Sequence, residues 1–148
     1  MCLWHSEIDK QCNAIRRYRW PEVVNLGDVR YLCWRIRRGF LAPAIPDVIW
    51  MSPPCQDLSF AGHRRGLEGD RSGLFYDAIR FVRFLVRRFH WRGLVLMEQV
   101  PGLASSNRGR DLPAAIQAFI DIGARDVCWT VLDAQYAGVA QQIGRAHV

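Results

Sequence analysis

Two short apolar runs, residues 47–51 and 93–97, flank a longer segment, residues 73–90, whose apolar side chains recur at helical spacing. The short runs have the length of buried strands, and the longer segment predicts an amphipathic helix. Strands that alternate with helices in this way pair in parallel, and parallel strands need helices on their faces. This alternation therefore predicts an α/β protein with a largely parallel sheet.

The alternation continues on both sides of this unit. A helix is predicted over residues 9–19, and one face of it comprises Ile8, Cys12, Ile15 and Arg19. Residues 35–46 are basic and then proline-containing, which is typical of a surface connection. A helix over residues 111–122 and a strand over residues 127–132 complete the predicted order.

The composition fits one globular domain, because 148 residues that are 50% hydrophobic can bury a sizeable core. The formal net charge of +6 is carried mostly by arginine, which suits phosphate contact but equally fits an ordinary basic protein. No apolar run approaches the length of a membrane span, and the first residues lack the layout of a secretion signal. We therefore expect neither a membrane segment nor export.

The five cysteines are an odd set without a Cys-x-x-Cys pair, so neither a disulfide framework nor a zinc site is predicted. The four histidines likewise show no ligand spacing, and we expect no metal. A reducing cytoplasm is the simplest compartment for such a chain.

Cys55 follows the first apolar run within Ser52-Pro53-Pro54-Cys55-Gln56. The two prolines fix φ and remove two backbone donors, so the chain itself sets the direction of the thiol. Glu98 follows the second run, at the strand edge where open α/β sheets place their sites. A nucleophile beside a carboxylate is one interpretation. A lone cysteine is more often a small buried hydrophobe, and Glu98 can merely cap the following turn.

The order of several short motifs resembles that of the DNA cytosine-5 methyltransferases over residues 5–142. The segments that carry the resemblance are, in chain order, Ser6-Glu7-Ile8-Asp9, Gly27-Asp28-Val29, Pro54-Cys55-Gln56 with the following residues 57–62, Leu74 and Glu98-Gln99-Val100. The last of these has Gln99 where the family has asparagine, a change that we do not expect to abolish activity. The resemblance implies a partial, doubly wound sheet of the Rossmann-like methyltransferase type.

The resemblance also implies S-adenosyl-L-methionine as cofactor. Glu7 is expected to hold its ribose and Asp28 to read its adenine. The full set of expected cofactor residues is Glu7, Ile8, Asp28, Val29, Pro53 and Leu74. Cys55 is expected to attack carbon 6 of a flipped cytosine while Glu98 protonates or hydrogen-bonds ring nitrogen 3.

The expected partner is DNA, bound by a monomeric full-length enzyme in the cytoplasm of a bacterium or encoded by a phage. Arginines in the loop after the nucleophile are placed to hold the backbone while the base is flipped. The expected DNA-binding residues are Gln56, Ser59, His63, Arg64, Arg65 and Gln141.

Both ends depart from the family pattern. No glycine-rich turn precedes Ser6, and the arginines of the family's Gln-x-Arg-x-Arg motif do not follow Gln141. Residues 143–148 match the translation of a common sequencing adapter, so we expect a partial catalytic domain over residues 1–142 and a non-native tail. The isolated chain is expected to bind the cofactor weakly and to turn over little or nothing.

Two other classes stay open. A relative that keeps the fold but only binds DNA or a partner is one of them, although the presence of both Cys55 and Glu98 argues against it. An unrelated cysteine hydrolase is the other, and His63 is the only histidine near Cys55 in the sequence that could act as its base.

Overall fold

The computed structural model describes residues 1–54 and 73–132, and alternates short strands with helices. In chain order the elements are β1 (Trp4–His5), α1 (Lys10–Arg19), β2 (Val24–Asn25), α2 (Val29–Arg37), β3 (Val48–Met51), α3 (Gly73–Phe89), β4 (Leu94–Met97) and α4 (Asp111–Asp121). Two short 3₁₀ helices, Pro101–Ala104 and Ser106–Gly109, lie between β4 and α4. The predicted domain boundary at residue 142 and residues 143–148 lie outside the described residues.

The strands are parallel and form two pairs. In the first pair, Trp4 lies opposite Val24 and His5 opposite Asn25. In the second, β3 and β4 run in register from Val48 opposite Leu94 to Met51 opposite Met97. The predicted α/β class is thus confirmed, with the short parallel strands and helices of a partial Rossmann-like fold. Within the described residues the two pairs are not hydrogen-bonded to each other, so they do not form one continuous sheet.

An aspartate begins the helix after each strand of the first pair. The side chain of Asp9 accepts the Cys12 N–H at 2.8 Å and caps α1, and Asp28 accepts the Arg30 N–H at 2.9 Å and caps α2. A carboxylate at this position satisfies one of the unpaired N–H groups of the first helical turn. Each strand therefore passes through a short polar turn into its helix.

The hydrophobic core is built around α3. The buried residues of this helix are Phe75, Ile79, Phe81, Val82, Phe84 and Leu85. Leu32 of α2, Ile49 of β3 and Ala115 of α4 join the same cluster. The apolar residues whose helical spacing predicts this helix from the sequence are Leu74, Ala78, Phe81, Leu85 and Phe89. Only Phe81 and Leu85 of that set are fully buried, because α2 and α4 both contact the helix and widen its buried surface.

Two expectations about secondary structure were wrong. Residues 127–132 form no strand, since no hydrogen-bonded neighbour pairs with them in the described part, and Trp129 and Leu132 are 58% and 85% exposed. Helix α2 runs on to Arg37, three residues into the predicted surface connection. Helix α1 contains no buried residue, and Ile15 on its apolar face is 61% exposed.

In the described part of the chain, no helix is both long and apolar enough to cross a membrane.

Candidate active site

Glu98 lies at the carboxyl end of β4, beside the segment that leaves β3. The Glu98 N–H donates to the carbonyl oxygen of Met51 at 3.0 Å, as the next backbone hydrogen bond after the paired residues. Ser52 directly follows Met51, the last residue of β3, and its hydroxyl donates to Oε2 of Glu98 at 3.3 Å. The carboxylate is exposed. An acid or hydrogen-bond acceptor is thus held at the start of the Ser52-Pro53-Pro54 turn.

Gln99 makes the second contact between these two segments. Its Nε2 donates to the carbonyl oxygen of Pro53 at 2.7 Å. Pro53 and Pro54 have no N–H, so the strand ladder cannot continue through their backbone. The side chains of Ser52 and Gln99 continue the same register instead, each contact joining residues 46 positions apart, as the paired strands do. Two side-chain hydrogen bonds therefore hold the approach to position 55 against the Glu98 turn.

Glu7 follows β1 and folds back over the start of α1. Its Oε1 accepts the N–H groups of Ile8 at 2.8 Å and Asp9 at 2.9 Å. These bonds fix the orientation of a half-buried carboxylate. No hydrogen bond reaches the second oxygen, Oε2, from the residues that the structure describes, so this oxygen has the capacity to accept one from a ligand. Ile8 itself is 62% exposed.

Asp28 is engaged by the arginine two residues after it. Nε of Arg30 donates to both carboxylate oxygens, at 3.0 and 2.9 Å, in addition to the backbone bond that caps α2. The guanidinium and the backbone N–H of Arg30 hold the pKa of the Asp28 carboxyl below its usual value. The carboxylate that sequence analysis assigned to adenine therefore already has a cationic partner, which an incoming amino group must displace.

Sequence analysis missed Asn25, which joins the turns after β1 and β2. Its Oδ1 accepts the N–H groups of Glu7 at 3.2 Å and Gly27 at 2.9 Å. Its Nδ2 donates to the Glu7 carbonyl at 3.0 Å and to Oδ1 of Asn13 at 2.7 Å. The available signal was a polar amide directly after the apolar pair Val23-Val24, where a strand ends.

The remaining predicted residues divide into two sets. Val29, Pro53 and Leu74 are half-buried, and Val29 packs against the core at the start of α2. The predicted residues that lie outside the described part are Cys55, Gln56, Ser59, His63, Arg64, Arg65 and Gln141. The structure joins the Glu7 turn to the Asp28 turn through Asn25, and it joins Glu98 to Ser52 and Gln99 to Pro53. Within residues 1–54 and 73–132, no side-chain hydrogen bond joins one group to the other.

No group of three or more histidine, cysteine, aspartate or glutamate side chains suited to a metal ion occurs in the described segments. Cys2, Cys12, Cys33 and Cys128 are all present as thiols. Cys33 is the half-buried member of this set, and burial raises the pKa of its thiol. The neighbouring Asp9 carboxylate likewise raises the pKa of the exposed Cys12 thiol.

Comparison with known proteins adds two findings. A family model for C-5 cytosine-specific DNA methylases matches residues 1–147. The chain is also 29% identical to the "DNA N-6-adenine-methyltransferase" of Escherichia phage P1, over 98% of this chain and 25% of that protein.

Two type II methyltransferases are similarly related. M.NgoBV of Neisseria gonorrhoeae is 29% identical over 99% of this chain and 34% of its own length. M.HpaII of Haemophilus parainfluenzae is 30% identical over 99% of this chain and 38% of its own length. The chain thus spans between 25% and 38% of the length of these three relatives.

Proposed function

Because the chain belongs to the C-5 cytosine-specific DNA methylase family, we propose that the protein transfers a methyl group to carbon 5 of cytosine in DNA, with Cys55 as nucleophile and Glu98 as acid. The observation that carries the proposal is the contact between the two segments that would supply these groups. Ser52 and Pro53, which lead to Cys55, are hydrogen-bonded to Glu98 and Gln99. A nucleophile and an acid from neighbouring strand ends can reach one substrate ring from this edge.

Carbon 5 of cytosine cannot attack a methyl donor unaided, because its electrons belong to an aromatic ring. In the proposed mechanism the Cys55 thiolate forms a bond to carbon 6, and Glu98 protonates or hydrogen-bonds ring nitrogen 3. The displaced π electrons then make carbon 5 nucleophilic, and it would take the methyl group from a sulfonium donor, whose methyl–sulfur bond breaks so that a neutral thioether leaves. Removal of the proton from carbon 5 restores the double bond as the sulfur–carbon 6 bond breaks and the thiolate leaves.

S-adenosyl-L-methionine would supply the electrophilic methyl group. Oε2 of Glu7 fits its ribose, because a carboxylate oxygen without a donor among the described residues can accept from a hydroxyl. Asp28 fits an adenine amino group only after Arg30 has moved from the carboxylate. Ile8, Val29, Pro53 and Leu74 are proposed as the apolar remainder of this site. These assignments rest on the family resemblance and on the free oxygen of Glu7.

A duplex buries carbon 6 in the base stack, so the proposed reaction requires the target cytosine to be flipped out. We propose that Arg64 and Arg65, with His63, hold the DNA backbone during this step. Gln56, Ser59 and Gln141 are proposed as further DNA contacts. If Arg64 and Arg65 contact phosphates, replacing both with alanine reduces the salt dependence of DNA binding.

Methylation of an exocyclic amino group is a second candidate, because the phage P1 relative is named a DNA N-6-adenine-methyltransferase. An amino nitrogen carries its own lone pair and needs no covalent activation of the ring by a thiolate. The two chemistries therefore differ in their requirement for Cys55. Methyl transfer that persists in a Cys55→Ser variant, with the label on adenine, would favour this second candidate.

The test is covalent trapping on duplex DNA that contains 5-fluoro-2′-deoxycytidine. Fluorine cannot leave carbon 5 as the proton does, so the cysteine adduct persists and survives denaturing electrophoresis. Each molecule needs to react only once, so the assay also detects a chain that turns over very slowly, as sequence analysis expects of this one. The wild-type chain should form the adduct when S-adenosyl-L-methionine is present, and Cys55→Ser should not.

Cys128→Ser is the matched control, because Cys128 is an exposed thiol in the described part of the chain. This variant should form the adduct as the wild type does. An adduct that survives Cys55→Ser, or one that Cys128→Ser abolishes, would overturn the proposed mechanism.

A further inference from the structure

We infer that Asn25 is a positioning residue that sets the spacing between Glu7 and Asp28 and thereby governs affinity for the adenosine part of the cofactor. The inference rests on the proposed function, in which Glu7 holds the ribose and Asp28 the adenine. Asn25 is not among the residues that the family motifs in this sequence mark. The positioning role of Asn25 rests on its hydrogen bonds alone.

The side-chain amide of Asn25 uses its full hydrogen-bonding capacity. An asparagine amide has two acceptor sites on oxygen and two donor hydrogens on nitrogen. The oxygen accepts from the backbone of both turns, at Glu7 and Gly27, and the nitrogen donates to the Glu7 carbonyl and to Asn13 on α1. Four bonds that run to three separate segments over-determine the amide's position.

The backbone hydrogen bonds of the β1–β2 ladder cannot hold the Glu7 and Asp28 turns together. The β1–β2 ladder has only two paired positions, and the Leu26 N–H that donates to the His5 carbonyl at 2.7 Å is the next bond along it. Gly27 then turns away with φ of +81°, a conformation that favours glycine. A two-residue parallel ladder is too short to hold the turns that follow it. Beyond the ladder, the side chains of Asn25 and Ser6 hold the two turns together, and the Ser6 hydroxyl does so by donating to the Gly27 carbonyl.

The spacing matters because a nucleoside is nearly rigid. Ribose hydroxyls and the adenine amino group lie at fixed distances, so the two acids bind both only when the turns that carry them are held at a matching distance. Loss of the Asn25 amide should weaken binding of every ligand that contains adenosine. It should leave the Cys55–Glu98 segment unchanged, since no described hydrogen bond links Asn25 to that segment.

The test compares the wild-type chain with Asn25→Ala and Asn25→Asp. Equilibrium dialysis measures binding of two probes, S-adenosyl-L-methionine and 5′-methylthioadenosine, which share adenosine and differ in the methionine end. Amide hydrogen exchange at Glu7 and Gly27 reports the two backbone bonds directly, without ligand. Gln117→Ala is the control, because Gln117 is an exposed residue on α4 whose side-chain amide donates to Asp121.

We expect Asn25→Ala to weaken both probes by about 10-fold and to speed exchange at both amides. Asn25→Asp keeps the oxygen that accepts from the two amides, so exchange there should stay slow. Its second oxygen faces the acceptors Glu7 O and Asn13 Oδ1, so binding should weaken by at least about 10-fold. It also carries the test if the alanine variant fails to fold. Gln117→Ala should bind both probes as the wild type does.

Three outcomes overturn the inference, and they are distinguishable. If the wild type binds the probes and Asn25→Ala binds them equally well, the inference fails while the proposed cofactor role stands. If the wild type binds neither probe while its Glu7 and Gly27 amides are protected, the proposed cofactor role fails and the inference falls with it. If Asn25→Ala bound S-adenosyl-L-methionine more weakly but bound 5′-methylthioadenosine as the wild type does, a role at adenosine would also be refuted.

Discussion

Replacing Gln99 with asparagine tests whether its amide holds the approach to Cys55. The donor nitrogen of Gln99 lies 2.7 Å from the Pro53 carbonyl oxygen. Asparagine is one methylene shorter, and a carbon–carbon bond is about 1.5 Å long. The separation therefore opens to about 4 Å, beyond hydrogen-bonding distance. The Pro53 carbonyl loses its donor, while the polar character of the side chain is kept.

The size of the effect follows from the local environment. Gln99 is half-buried, so the bond is partly shielded from water and should contribute about 1 kcal/mol to the free energy of unfolding. Gln99→Asn should lower that free energy by this amount. Gln99→Leu should cost less, because it also removes the buried Oε1, which has no partner among the described residues.

Urea unfolding followed by circular dichroism measures these differences, provided that the slope with denaturant is unchanged. The matched control is Gln117→Asn, which breaks an exposed bond of 2.8 Å to Asp121 and should change the free energy of unfolding by less than about 0.5 kcal/mol. A Gln99→Asn variant as stable as the wild type, or a leucine variant less stable than the asparagine variant, would refute the reasoning.

Three further predictions concern Asp28 and Gly93. Arg30→Gln should tighten binding of S-adenosyl-L-methionine by about 3-fold in equilibrium dialysis, because it frees the Asp28 carboxylate; unchanged or weaker binding would contradict this. The pKa of Asp28 is lowered in the folded chain, so its ion pair stabilises the fold above the ordinary value of 3.8 and is lost as pH falls through the lowered value. As pH is lowered below about 5, the free energy of unfolding should therefore fall less in Arg30→Gln than in the wild type. Equal slopes of this free energy with pH would contradict a contribution from the Asp28–Arg30 ion pair. Gly93→Ala should lower the free energy of unfolding by about 3 kcal/mol in urea, because a Cβ there would lie 2.2 Å from the Asp47 carbonyl oxygen and 2.4 Å from the Trp91 ring; a cost below about 1 kcal/mol would contradict that geometry.

The elements that could be predicted from the sequence are those with a strong local signal. Apolar periodicity located α1, α3 and α4 to within about two residues. The paired runs at residues 47–51 and 93–97 are parallel strands, as their alternation with α3 indicated. The placement of Glu98 at a strand end followed from the same pattern.

Apolar periodicity could not predict strand pairing or burial, because both depend on residues that are distant in the sequence. Residues 127–132 have the composition of a strand, but a strand exists only when a neighbour accepts its hydrogen bonds, and the described residues provide none. The exposed face of α1 is a similar case. Its spacing fits a helix, yet burial depends on what packs against Ile15.

The amino-acid sequence by itself determined the alternation of β3 and β4 with α3, the motifs that carry the family resemblance, and which residue types stand at these strand ends. Only the tertiary structure decided which of those residues touch. The register of β3 with β4 places Ser52 beside Glu98, and the end of the β1–β2 ladder lets Asn25 reach Glu7. Strand and helix patterns arise from near neighbours in the chain, whereas these hydrogen bonds join residues 46 and 18 positions apart and exist only once the strands have paired.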